Sequence, residues 1–127
     1  MKKTIMLFAG TTEGRRICEF LAVKKCITHV YVTTEYGKEL LPGQNNVHIH
    51  VGKMDEKQMS DEISVIHPDI VIDATHPYAT QVTHNIKEAC DSRHIFYVRV
   101  LREENTEKAG NNADNIIYTE TMKDAVR

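Results

Sequence analysis

Two short stretches carry residue types that could do chemistry. The first is Gly10-Thr11-Thr12-Glu13-Gly14-Arg15-Arg16, which directly follows the strand-like run Thr4 to Ala9. A phosphate-binding turn needs glycine so that backbone can come close, and it needs the free amides of a helix N-terminus aimed at the negative charge. Gly10 to Gly14 supplies both, and the Thr11 and Thr12 hydroxyls add donors for phosphate oxygens. The second stretch is Val71-Ile72-Asp73-Ala74-Thr75-His76-Pro77-Tyr78-Ala79. Ile70, Val71 and Ile72 are β-branched and unbroken by charge, as in a strand covered on both faces. Asp73, Thr75 and His76 then arrive together at its carboxyl end, where open α/β sheets bind ligands. Each stretch also has a plainer reading. The glycines could make a tight turn with no ligand, and Asp73 and Thr75 could cap a helix that Pro77 opens.

Other constellations say less. His48 and His50 share one face of a strand and could hold a metal, but no third ligand lies nearby, so a polar outer face is the expectation and no metal site is assigned. His67, His84 and His94 are scattered on polar faces and helix ends. Arg15 and Arg16 could reach phosphates from the first helical turn or sit on a solvated face. Cys18, Cys26 and Cys90 are an odd number without C-x-x-C spacing, which reads as buried thiols in a reducing cytoplasm.

The elements that must position these residues follow from periodicity. Gly14, Ile17, Cys18 and Leu21 recur at helical spacing after the glycine turn. His29 to Thr34 forms the next strand, completing a βαβ unit. Glu35 to Asn46 reads as a loop with at most a helical turn at Lys38 to Leu41. Val47 to Val51 is a third strand; Asp55 caps a helix carrying Met59, Ile63 and Ile66 inward and stopping before Pro68. After the fourth strand, Val82, Ile86, Ala89 and Cys90 mark the buried stripe of the helix expected from Pro77, and Ile95 to Leu101 gives a fifth strand. Strands alternating with helices specify an α/β fold, a doubly wound parallel sheet with Rossmann-like topology.

Composition fits that fold: 41% apolar and 27% charged residues, with sixteen basic against eighteen acidic side chains for a formal charge of -2. No basic excess points to nucleic acid or an anionic membrane. The apolar run after Lys2 and Lys3 is too short for a signal peptide core or a membrane span. Residues 1–103 form the expected dinucleotide-binding domain. Residues 104–127 read as a polar linker, a short strand Ile116-Ile117-Tyr118 and a helix from near Thr121, the beginning of a second α/β domain apparently cut short.

A dinucleotide at the glycine turn would place its ribose near the end of the second strand, where a carboxylate selects NAD. Thr33 and Thr34 stand there with Lys38 close by, which suits the 2′-phosphate of NADPH, whereas Glu35 could serve the ribose of NADH. The cofactor expectation is therefore NADPH or NADH, held by Gly10, Thr11, Thr12, Glu13, Gly14, Thr33, Thr34, Lys38 and Thr75.

With Gly10-Thr-Thr-Glu-Gly-Arg15 at the first turn, Asp73-Ala-Thr-His-Pro-Tyr-Ala79 at the fourth strand end and Gly52-Lys-Met-Asp55 after the third strand, the chain resembles the precorrin-6A reductase family, which includes the cobalt-precorrin-6A reductases. The likeness covers roughly residues 4 to 103 and, more faintly, the segment after them. Ala9 stands where members commonly have a second glycine, and Lys38 where they tend to have arginine. The resemblance implies an oxidoreductase that transfers a hydride from NADPH or NADH to a double bond of a tetrapyrrole in cobalamin biosynthesis. It also implies a second α/β domain beyond this chain. Thr75, His76 and Tyr78 are then the catalytic candidates: His76 as proton donor, carboxylate anchor or simple positioning group, Tyr78 as a stacking ring. Asp73 is expected to hold the turn through backbone amides. Two alternatives remain, a nucleotide-binding module without activity of its own and a Rossmann-like reductase of another small molecule, although the latter usually carries a Tyr-x-x-x-Lys pair that is missing here. Whether the chain forms a homo-oligomer is left open.

Overall fold

The structure, a computed structural model, describes residues 2–101 and the backbone of residues 116–118. Ten elements follow one another: β1 (Lys3–Phe8), α1 (Thr12–Ala22), β2 (Cys26–Val32), α2 (Glu35–Glu39), β3 (Val47–Val51), α3 (Glu56–Ile66), β4 (Ile70–Asp73), α4 (Thr80–Arg93), β5 (Tyr97–Leu101) and β6 (Ile116–Tyr118). The strands form one sheet in the order β3-β2-β1-β4-β5-β6, and every neighbouring pair is parallel. The order reverses between β1 and β4, so the crevice outside their carboxyl ends is the topological switch point of a Rossmann-type sheet.

Two apolar layers sandwich the sheet. On one face Ile17, Cys18, Leu21 and Ala22 of α1 pack against Leu7, Val30, Val32 and Val100. On the other, Met59 and Ile63 of α3 and Ile86, Ala89 and Cys90 of α4 cover Met6, Phe8, Val71 and Tyr97. Alternation along each strand sends successive side chains to opposite layers, which is why the central strands carry almost no exposed residue. All three cysteines are buried and free. Burial, with a nearby carboxylate adding to it, pushes the Cys18 thiol up to about 11 and the Cys90 thiol up to about 12, so both stay protonated.

Local signals set the helix ends. Asp55 and Gln58 form a reciprocal capping box at the start of α3. That helix ends at His67, whose φ of 53° is left-handed, immediately before Pro68. The second strand begins earlier than the sequence pattern suggests and ends at Val32, leaving Thr33 and Thr34 beyond it. The segment after it, expected as a loop, opens with the short helix α2, whose cap is the Thr34 hydroxyl accepting from the Gly37 amide at 3.0 Å.

One expectation needs correction. The fourth helix does not start at Pro77. Pro77 and Tyr78 occupy the middle of a turn closed by the Ala79 amide donating to the His76 carbonyl at 2.9 Å, and α4 starts at Thr80 with no side-chain cap. Proline's fixed φ suits the second position of such a turn as well as it suits a first helical turn, and here the turn won. The strand at 116–118, expected at the beginning of a second domain, pairs with β5 at the edge of this sheet. The polar linker and the helix expected from Thr121 lie outside the described residues. Among the described residues no helix is long and apolar enough to cross a membrane.

Candidate functional site

A crevice of about 710 Å³ opens over the carboxyl ends of the strands at the switch point. Its walls come from the glycine turn (Gly10, Thr11, Thr12 and Glu13), the end of β2 (Val32, Thr33 and Thr34) and the turn after β4 (Thr75 to Tyr78). The two stretches singled out in the sequence, more than sixty positions apart, therefore meet in one place.

The glycine turn is built by close packing. Gly10 has a φ of 124°, a conformation that L side chains rarely adopt. A Cβ on Gly14 would stand 2.9 Å from both Cα and Cβ of Ala9, so α1 can approach the end of β1 only because residue 14 lacks one. Thr11 is the N-cap of α1: its Oγ1 accepts from the Gly14 amide at 3.1 Å and donates to the carbonyl of Ala74. That hydroxyl ties the first turn to the β4 end. The Thr11 proton is thereby directed to Ala74, and Thr12 lines the crevice beside it. Glu13 is buried at the crevice wall. Arg15 also lines the crevice, and its buried Nε has no hydrogen-bond partner among the described residues. Such an unsatisfied donor is costly unless an acceptor arrives.

At the β4 end the side chains divide into two groups. Asp73, 0% exposed, points inward. Its Oδ1 accepts from the Thr75 amide at 3.1 Å and the Thr75 hydroxyl at 2.7 Å; its Oδ2 accepts from Thr83 at 2.8 Å and Tyr97 at 2.9 Å. Arg99, 7% exposed on β5, pairs with Oδ1 at 3.3 Å. Burial beside the Asp73 charge pushes the Tyr97 phenol far above its ordinary range, so it remains a donor. Asp73 is structural, as expected, but through a network reaching α4 and β5 as well as through a backbone amide. Neither Asp73 nor Thr75 caps a helix. Thr75 lines the crevice, yet its hydroxyl proton is committed to Asp73, so it offers a ligand no proton without breaking that bond.

His76 and Tyr78 face outward. Tyr78 is 71% exposed, and its ring lies 5.2 Å from the His76 ring, tilted by 48°. His76 Nδ1 accepts the Tyr78 amide at 3.1 Å, which makes the neutral ring an Nε2–H donor. Thr33 and Thr34 also line the crevice, together with Tyr36, Gly37, Leu40 and Leu41, which the sequence reading passed over; Lys38 and Glu35 do not line it. Arg99, Tyr97 and Thr83 were missed altogether. A single arginine inside the apolar strand Tyr-Val-Arg-Val-Leu was the available signal, because a charge in a strand buried on both faces must have a partner.

His48 and His50 do not simply form a solvated face. His50 stacks on Tyr31 at 4.7 Å between centroids, and its Nε2 lies 3.0 Å from His29 Nδ1, while His48 stacks on His29 at 5.0 Å. Among the described residues no group of three or more His, Cys, Asp or Glu side chains could hold a metal ion.

Fold and crevice together define a Rossmann-type α/β domain with a glycine turn at the switch point. Comparison with known proteins narrows that class. Residues 4–127 match the family described as precorrin-6x reductase CbiJ/CobK, and the chain belongs to that family. It is 33% identical over 125 residues to a cobalt-precorrin-6A reductase of Methanocaldococcus jannaschii, an alignment covering 97% of this chain and 48% of the relative. To the corresponding protein of Methanothermobacter thermautotrophicus it is 32% identical over 104 residues, covering 81% of this chain and 34% of the relative. The chain thus spans between about a third and about a half of the length of these relatives. Among solved structures it superposes on CobK precorrin-6A reductase with a TM-score of 0.68 at 24% identity, over 79% of this chain and 39% of that one. It superposes on the Bordetella bronchiseptica enzyme WbmH, solved in complex with NAD+, with a TM-score of 0.66 at 18% identity, over 81% of this chain and 40% of that one. Both likenesses establish the fold.

Proposed function

We propose that the chain forms the nucleotide-binding part of a reductase that moves a hydride from NADPH or NADH to a double bond of precorrin-6A or cobalt-precorrin-6A, in cobalamin biosynthesis. The observation that carries this reading is the convergence of Gly10 to Gly14 and Thr75 to Tyr78 on one crevice at the switch point, in a chain of this family. The residues fit a dinucleotide. The start of α1 presents amides to a pyrophosphate, Thr12 adds a hydroxyl, and the unpartnered Nε of Arg15 favours an anion there. Thr33 and Thr34 line the wall and Glu35 does not, which suits a 2′-phosphate and favours NADPH over NADH.

The cofactor supplies the hydride, so the protein has to bind, orient and exclude water. His76 and Tyr78 hold the outer edge of the crevice, where a flat conjugated substrate would lie; Tyr78 stacks, and the Nε2–H of His76 donates to an oxygen of substrate or cofactor. Thr75 acts by shape, with its hydroxyl held by Asp73.

Fluorescence titration with NADPH and NADH tests the cofactor assignment. Wild type should bind NADPH more tightly, and Thr12→Ala should weaken both. Absence of binding at millimolar concentration would end the dinucleotide reading. A second reading, a nucleotide-binding module inactive alone, is favoured by the share of the relatives' length that the chain spans. Assay of precorrin-6A turnover separates the two.

A further inference from the structure

We propose that Arg99 is a positioning residue for ligand binding at the crevice, acting through His76. The inference rests on the dinucleotide reading above for what the ligand is, and on the geometry alone for what Arg99 does.

The guanidinium gathers the turn after β4 around itself. Nη1 donates to the Asp73 carbonyl at 3.1 Å, the Asp73 carboxylate at 3.3 Å and the Thr75 carbonyl at 2.9 Å, and Nη2 donates to the His76 carbonyl at 3.4 Å. Neutralising Asp73 would need a single cation and no particular geometry. Drawing three main-chain carbonyls to one buried point needs a planar group with several donors in fixed directions, which arginine has and lysine lacks.

Turning those carbonyls inward decides what faces outward. The His76 carbonyl also accepts the Ala79 amide at 2.9 Å, closing the turn that contains Pro77. That turn brings the Tyr78 amide to His76 Nδ1 at 3.1 Å. A ring whose Nδ1 is an acceptor carries its proton on Nε2, so a donor stands free to meet a ligand oxygen. Arg99 on β5 thus sets the place and the tautomer of a side chain that it does not touch except through its carbonyl. Tyr97 and Thr83 reach the Asp73 carboxylate, and Thr83 also meets the Thr75 hydroxyl at 3.4 Å, whereas Arg99 reaches the main-chain carbonyls of residues 73, 75 and 76.

The test compares Arg99→Lys, which keeps the charge and loses the fork, with Ile63→Val, which loosens the core beneath α3 away from the turn. Long-range proton–nitrogen spectra of the labelled chain report the His76 tautomer, and NADPH titration reports affinity. Wild type and Ile63→Val should show one Nε2–H tautomer and the same Kd. Arg99→Lys should show mixed tautomers and a Kd raised at least ten-fold. Should Arg99→Lys fail to fold, Asp73→Asn/Arg99→Gln removes both buried charges together and should give the same two losses. Retention of the single tautomer and of the Kd in the Arg99 variants would overturn the proposal, as would equal losses in Ile63→Val. If wild type binds neither dinucleotide, the functional reading fails, while the tautomer measurement still judges Arg99.

Discussion

Gly14→Ala is the sharpest test of how the crevice is built. The added methyl would stand 2.9 Å from Ala9 Cα and 2.9 Å from Ala9 Cβ, with Ala74 Cβ at 3.5 Å. Carbon atoms sit comfortably at about 3.5 Å or beyond, so two contacts are short by about 0.6 Å. One of the two atoms is main chain at the end of β1 and cannot swing aside; α1 must move off the sheet. Overpacking of this kind costs about 1 to 3 kcal/mol. Replacing glycine by alanine in a helix returns about 0.5 to 1 kcal/mol, so the middle of the two ranges leaves a net loss of roughly 1 kcal/mol. Urea unfolding followed by circular dichroism reads this as a lower midpoint at unchanged slope. Adding Ala9→Gly removes the Cβ of the clashing pair and leaves the Cα, so the double variant should recover part of the loss, with a coupling of roughly 0.5 to 1 kcal/mol. A neutral or stabilising Gly14→Ala, or no coupling with Ala9→Gly, would refute the packing account. The same reasoning gives a meaning to Ala9: one of positions 9 and 14 can carry a Cβ, and here it is position 9.

Two further outcomes follow from single contacts. Asp55→Ala removes one half of the capping box at α3 and should lower stability by about 1 kcal/mol, read from the same urea midpoint, while leaving NADPH affinity unchanged because α3 lies away from the crevice. The His29 imidazole is held below its ordinary value by burial first and then by His50 and His48, with Glu62 acting the other way. Tyr31, also facing this cluster, stays a neutral donor to Glu62 because burial and that carboxylate push its phenol up. A depressed imidazole means the unfolded chain binds more protons, so the His29 contribution is fully present above its unfolded value of about 6.5 and is lost as pH falls below it. Urea midpoints between pH 8 and pH 5 should therefore fall in this window, and His29→Gln should flatten that part of the profile; an unchanged profile in His29→Gln would remove His29 as its source.

What the sequence disclosed was what local pattern controls. The run from strand through glycine turn to α1, the third strand at Val47 to Val51, the Asp55 cap and the stripe Val82-Ile86-Ala89-Cys90 each depend on residues within a few positions of one another, and each stands in the structure where periodicity places it. The misreadings concern choices that neighbours do not make. Pro77 is compatible with a helix start and with a turn, and the His76 carbonyl, shared between Ala79 and Arg99, selects the turn. Ile116 to Tyr118 is a strand on any reading, but whether it joins this sheet depends on an edge offered by β5. Most consequential is direction. Asp73, Thr75, His76 and Tyr78 form one polar cluster in the sequence, which does not tell which way each side chain points. In the structure a buried arginine twenty-six positions after Asp73 claims that carboxylate and the carbonyls of residues 73, 75 and 76. Asp73 and the Thr75 hydroxyl are thereby consumed in holding the floor of the crevice, and His76 and Tyr78 are exposed on its wall.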